Sequence, residues 1–248
     1  MNVLWLSANQ FGYELLKEAI IIKEVNIIGI ITLAKGTKTV MYDGIENKKW
    51  KEFGIDVFEI ERLDRKAELI KKLAPDLIVM CGWRQVIGKE ILNIPKEGFI
   101  GFHPTLLPKG RGSAPIINSI LHGWKESGVT MFRVSEGIDN GDIAGQEKFL
   151  IEKNDHSSEV YEKVINAGKK LVKKYLPLIA QKKVLWKKQD ESKASEFEKP
   201  KKEDNCINPE KETLEEISRK IRAFSKPYNG AYISNKGKKL VLWRAELK

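Results

Sequence analysis

The sequence predicts an α/β fold: a mostly parallel sheet with helices on both faces, followed by a small C-terminal appendage. Three observations predict it. Short β-branched runs alternate with helix-patterned segments through the first 180 residues. The run "PDLIVMCG" is apolar through its middle, as a strand covered on both faces requires. After residue 180 the alternation gives way to a charged stretch with little periodicity.

"NVLWLS" reads as a buried strand and "FGYELLKEAII" as an amphipathic helix, and "VNIIGIIT" has strand length and β-branching. Beyond a polar stretch, "DVFEI" reads as a short third strand, "ERLDRKAELIKKLA" as a helix and "PDLIVMCG" as the fourth strand. "FIGFHPTLLP" begins as a fifth strand and runs off its carboxyl end, the rim where open parallel sheets place their ligands. "APIINSILHG" reads as the next helix, with Gly123 at its stop, and "GVTMFRVS" as another strand. The turn-rich "GIDNGD" leads into "AGQEKFLI", again a strand. The long helix "SSEVYEKVINAGKKLVKKYLPLIA", with Ser157 as N-cap, closes a first domain over residues 1–180. Residues 181–204 read as a surface linker, and 205–248 as one helix and a hairpin. Some 45 residues make a small core, so this last region is expected to pack on the body.

Of the 248 residues 42% are hydrophobic and 31% charged, the balance of a soluble globular protein. No apolar run approaches the roughly 18 residues of a membrane span, and "MNVLWLSANQFG" has no basic segment before its apolar run. A cytoplasmic protein without membrane association is expected. Two distant cysteines, Cys81 and Cys206, support neither a disulfide framework nor a cysteine-rich metal site. The net charge of +10 is uneven: Lys and Arg outnumber Asp and Glu by 18 to 11 from residue 181 onward, and by only 26 to 23 before it. Such a tail either attracts an anionic partner or is a solvated face, since its lysines alternate with glutamates.

"SANQFG" lacks both the GxGxxG of a dinucleotide site and the phosphate-loop spacing, which argues against a held nicotinamide or nucleoside triphosphate. Of the three histidines, His122 ends a helix and His156 lies in a loop, and no pair has metal-ligand spacing, so no metal is expected. His103 differs by lying at a strand's carboxyl end. "EGIDNGD" returns Asp139 to the same rim, where it either holds the imidazole in its donating form or caps a turn that Asp-Asn-Gly favours.

"FHPTLLPKGRGSAPI" followed by "SGVTMFRVSEGIDNGDI" resembles the signature of the formyltransferase family that uses 10-formyltetrahydrofolate: N-x-H-x-S-L-L-P, then G-V-T and G-[LI]-D-x-G-D. The 36 residues between His103 and Asp139 match the spacing that unites the family's pair. "QDESKASEFEKPKKEDNCI" and "IRAFSKPYNGAY" with "LVLWRAE" are similar to the linker and the start of the C-terminal region in members acting on methionyl-tRNA and on sugar nucleotides.

The resemblance implies a Rossmann-like domain that moves a formyl group from 10-formyltetrahydrofolate, as co-substrate, to a primary amine without a metal. His103 would donate to the oxygen that gains charge, and Asp139 would orient it and help take the amine's proton. Trp83, Arg84, Gln85, Val86 and Ile87, with Gly137, Ile138 and Asp139, would bind the folate. Asn9 and the turn carrying Thr105, Leu107, Lys109, Arg111, Gly112 and Ser113 would face the acceptor, with Arg111 meeting a phosphate or sugar oxygen bidentately. The family's asparagine falls on Gly101, which has no side chain; another group or a backbone N–H would make that contact. The acceptor implied is a nucleotide-linked amino sugar, because the tail offers two or three strands where the methionyl-tRNA enzymes carry a barrel of about five. Initiator tRNA is the alternative acceptor, and a non-catalytic folate or nucleotide binder the lesser one. A homodimer is compatible with the resemblance.

Overall fold

Strand β1 (Asn2–Ser7) is apolar on both sides: Val3 and Trp5 enter one core with helix α1 (Gln10–Ala19), while Leu4 and Leu6 enter a second core beneath the sheet. That double burial makes β1 a central strand. In the computed structural model, which describes residues 1–39, 41–201 and 203–247, β1 lies between β2 (Asn26–Leu33) and β4 (Leu77–Cys81), parallel to both. Lys202, inside the expected linker, and Lys248, at the end of the expected C-terminal region, lie outside the described residues.

With β3 (Val57–Ile60), β5 (Phe99–His103), β7 (Glu126–Arg133) and β8 (Ile143–Leu150), the sheet has seven strands in the order β3-β2-β1-β4-β5-β7-β8. The first five neighbours are parallel and only β7 runs antiparallel to those beside it. The expected mostly parallel sheet, with its hairpin appendage, is thus observed. Helix α1, α4 (Pro115–Leu121) and α5 (Ser157–Ala180) cover one face, and α2 (Ala67–Leu73) and α3 (Lys89–Leu92) the other.

Three local expectations change. The helix over 61–74 is cut to a 3-10 turn at Leu63–Arg65 and α2, because Gln85 bonds the chain there: Leu63 N donates to Gln85 Oε1 at 3.0 Å, and Gln85 Nε2 donates to Glu61 O at 2.7 Å. The N-cap of α5 is His156, not Ser157, since His156 N donates to Glu159 Oε2 at 3.1 Å. The segment after α5 is not a plain linker: Glu196–Phe197 (β9) pairs in parallel with Arg111–Gly112 (β6), and Lys187 bridges Ile143.

The last region is helix α6 (Leu214–Phe224) and the hairpin β10 (Ala231–Asn235) and β11 (Lys238–Leu242). Ile207, Ile221, Ala223, Phe224 and Ala231 are buried in the same core as α1 and α5, which joins this region to the body. The contact is polar as well as apolar. Ser157 N, at the start of α5, donates to Ser225 Oγ at 3.1 Å, and Ser157 Oγ donates to Ala223 O at 2.5 Å. Arg222 Nη1 donates to Asp155 O at 2.9 Å, and Arg244 pairs with Glu159 at 2.5 Å. Among the described residues no helix is long and apolar enough to cross a membrane.

Partial burial raises the Glu159 carboxyl, but hydrogen bonds from Ser158, from its own backbone and from Arg244 outweigh that and hold it at about 2. Its folded value is therefore depressed, so its contribution to stability is complete above the usual carboxylate range and disappears as pH falls towards about 2. Acidification from pH 4.5 to 2 should loosen the tail's docking in the native protein, and Glu159→Gln should flatten that part of the profile. Hydrogen exchange of residues 221–231 across this range measures both; an identical profile in Glu159→Gln would contradict it.

Candidate active site

His103 is the last residue of β5 and is 5% exposed. Its backbone pairs with Thr130 of β7, which sets the ring at the carboxyl rim of the sheet. Ring Nε2 lies 2.7 Å from Gly110 O, and Nδ1 lies 3.3 Å from Asp139 Oδ2. Carbonyl and carboxylate oxygens only accept, so both ring nitrogens act as donors when both contacts are made. The ring is thereby fixed from two sides.

Asp139 comes from the turn between β7 and β8 and takes a left-handed φ of 48°, a conformation Asp tolerates better than most residues. Its Oδ2 also accepts from Gly112 N at 2.9 Å, so one carboxylate oxygen joins the β5 rim to the 110–113 turn. The turn is tight: a Cβ on Gly141 would stand 1.8 Å from Arg133 O, so only glycine fits there. Ser135 Oγ donates to Asn140 Oδ1 at 2.6 Å across it.

The loop after His103 is held by groups the sequence did not single out. Thr130 Oγ1 donates to Thr105 O at 2.7 Å and accepts from Leu107 N at 3.0 Å, while Gln146 Nε2 donates to Leu107 O at 2.8 Å. A fully buried threonine within the apolar run "GVTMF" was the available signal. Thr105 is itself fully buried, its hydroxyl donating to Lys109 O at 2.7 Å, and Leu107 packs with Phe132 and Ile143. Of the residues expected to face an acceptor, Lys109 is exposed, Gly112 and Ser113 are half-buried, and the other four are buried with protein partners. Asn9, 2% exposed, caps α1 by accepting from Gly12 N at 3.0 Å. Thr105 and Leu107 are lodged in the loop itself. Arg111, 5% exposed, is committed instead to Gln189 and Glu191 in the segment after α5. The Glu191 hydrogen bond and charge raise its pKa further, so it stays cationic.

The folate candidates divide differently. A cleft of about 640 Å³ opens beyond the carboxyl ends of β2, β3 and β4, and Thr37, Thr39, Arg62, Arg84, Gln85 and Val86 line it. Val86 is 94% exposed, and Ile138, on the Asp139 turn, is 61% exposed. Trp83 Nε1 is buried without a hydrogen-bond partner. Exposed apolar side chains beside a cleft suit a ring-bearing ligand. Gln85 is already bonded to the 61–63 chain, and Trp83 and Ile87 pack on the lower core. Gly137 is exposed beside Asn140.

At Gly101 a Cβ would lie 3.0 Å from Val134 Cγ2 and 3.2 Å from Phe132 Cε1. The place of a longer side chain is therefore filled by apolar neighbours. Gly101→Asn should destabilise the fold by about 1–3 kcal/mol through overpacking, without raising turnover. Thermal unfolding and a turnover assay check this; a more active Gly101→Asn protein of unchanged melting temperature would contradict it.

Comparison with known proteins identifies the family. Residues 19–176 match the family model described as formyl transferase, and residues 199–248 match the formyl transferase C-terminal domain. A methionyl-tRNA formyltransferase of Natranaerobius thermophilus is 33% identical over 202 residues, covering 81% of this chain and 64% of its own. The chain thus spans less than two thirds of that relative's length. A sugar N-formyltransferase structure from a Shewanella species superposes with a TM-score of 0.79 at 23% identity, over 100% of this chain and 99% of the other. An N-formyltransferase of Helicobacter canadensis, solved with folinic acid and dTDP-3-aminofucose, gives 0.71 at 23% identity over 96% and 85%. At that identity the two structures share the fold.

Proposed function

The chain belongs to the formyl transferase family, and on that premise we propose that it transfers a formyl group from 10-formyltetrahydrofolate to a primary amine on a nucleotide-linked amino sugar. The observation that carries this reading is His103 held between Gly110 O and Asp139 at the rim of the sheet. When bound, the folate supplies the formyl carbon: the amine nitrogen bonds to it, the bond to the folate nitrogen breaks, and the amine's proton passes to the departing tetrahydrofolate.

His103 offers an N–H to the formyl oxygen as negative charge builds there, and Gly110 O competes for that N–H until the oxygen arrives. Asp139 faces Nδ1, favours the donating ring and helps take the proton shed by the amine on its way to the departing tetrahydrofolate nitrogen. Arg84 and Val86 in the cleft, with Ile138 on the turn, are the folate contacts. The acceptor class draws support from the Helicobacter canadensis structure, whose ligands pair a folate with an amino-sugar nucleotide.

A second reading, formylation of methionyl-tRNA, is favoured by the Natranaerobius thermophilus relative. Incubating the protein with 10-formyltetrahydrofolate and following tetrahydrofolate release separates the two. Release with amino-sugar nucleotides and none with methionyl-tRNA is expected; the reverse pattern establishes the second reading. Release with neither amine would overturn both and leave a binding protein.

A further inference from the structure

We propose that Gln189, carried on a strap of residues 187–197, is a positioning residue for Asp139; this rests on the formyl-transfer reading above. Gln189 Nε2 donates to Asp139 O and to Gly141 O, each at 2.8 Å. An amide nitrogen carries two hydrogens, and both go to the turn that presents the carboxylate. Gln189 Oε1 accepts from Arg111 Nε at 3.1 Å and from Nη2 at 2.8 Å. The amide orientation follows from these partners, because the flipped group would set its oxygen against two carbonyls and its N–H groups against a guanidinium.

Arg111 is anchored in turn. Glu191 accepts from Arg111 Nη1 at 2.9 Å and from Nη2 at 2.7 Å, a bidentate pair. The next residue along the chain, Gly112, donates its N–H to Asp139 Oδ2. Asp139 is thus held twice, by its carbonyl through Gln189 and by its carboxylate through Gly112, and both holds lead to Arg111. The strap is pinned beside them: Arg111 N donates to Ser195 O at 2.9 Å, Gly110 N to Ser195 Oγ at 3.0 Å, and Ser195 N to Pro108 O at 3.1 Å. Gly110 also supplies the carbonyl on His103 Nε2. The segment therefore reaches both sides of the imidazole without touching it. The 3.3 Å contact between Nδ1 and Asp139 is the longest of these contacts.

Gln189→Ala and Gln189→Glu test this against Asp190→Ala, which breaks a local turn bond to Ser192 in the same strap and leaves the Asp139 contacts intact. Gln189→Ala is expected to lower kcat at least tenfold, with KM for 10-formyltetrahydrofolate within threefold of wild type and a shifted pH profile of kcat. Gln189→Glu, which only accepts, does not rescue it, and Asp190→Ala stays within twofold. Amides of residues 137–142 exchange at least tenfold faster in Gln189→Ala than in wild type or Asp190→Ala. Unchanged exchange in Gln189→Ala, or an equal loss of kcat in Asp190→Ala, overturns the proposal. If the wild-type protein itself does not turn over, the formyl-transfer reading fails, and the exchange comparison alone decides whether Gln189 holds the turn.

Discussion

His103→Ala should lower kcat by about 10³ while leaving the protein folded, the loss typical of removing one preorganised donor to a developing oxyanion. The fold survives for a reason visible at the site. Both partners of the ring keep another hydrogen bond: Gly110 O still faces Thr105 Oγ1 at 3.4 Å, and Asp139 Oδ2 still accepts from Gly112 N at 2.9 Å. The stability lost is that of one buried hydrogen-bonded group, about 1–3 kcal/mol. Tetrahydrofolate release at saturating donor, measured beside a thermal melt, checks both halves. Wild-type turnover in the variant would remove His103 from the chemistry.

Asp139→Asn should lower kcat by about 10²–10⁴, and it isolates charge from geometry. Asparagine tolerates the left-handed backbone found at this position and can still accept from Gly112 N. The same oxygen faces Gly112 N and His103 Nδ1, so the amide oxygen stays against the ring and what the variant removes is the negative charge. Asp139→Ala is a poorer probe because alanine is strained at a φ of 48°. A kcat within threefold of wild type for Asp139→Asn, with residues 137–142 unchanged in hydrogen exchange, would show that the carboxylate's charge has no part in turnover.

Much of this was legible because the signals were local. "LWLS" and "LIVMC" must be central strands, and His103 falls at a strand end wherever that strand is drawn. Asp139 was legible because Asp-Asn-Gly turns the chain and returns it along the next strand. What escaped depends on pairings across the chain. Four-residue α3 and the two-residue strands β6 and β9 are too short to impose a period, and β9 exists only because residues 80 or more positions earlier lie beside it. The helix before β4 was read too long because Gln85, some twenty residues on, takes the donors and acceptors of its first turn. Arg111 was read outward from its glycine turn; its partners sit in a charged stretch whose composition resembles a solvated linker.

Helix α5 begins on Ser157, whose backbone N–H and hydroxyl are met by Ser225 Oγ and Ala223 O, the first of these 68 positions later in the chain. On the ribosome that distance is a delay. At about 5–20 residues per second, roughly 3–14 s separate synthesis of the helix start from synthesis of the groups that meet Ser157. Through that interval the sheet and its catalytic rim can be complete while the end of their longest helix stays open to water. A nascent chain halted short of Ser225 therefore exposes this helix start to chaperones and proteases, and the last turn of α6 is the piece that closes it.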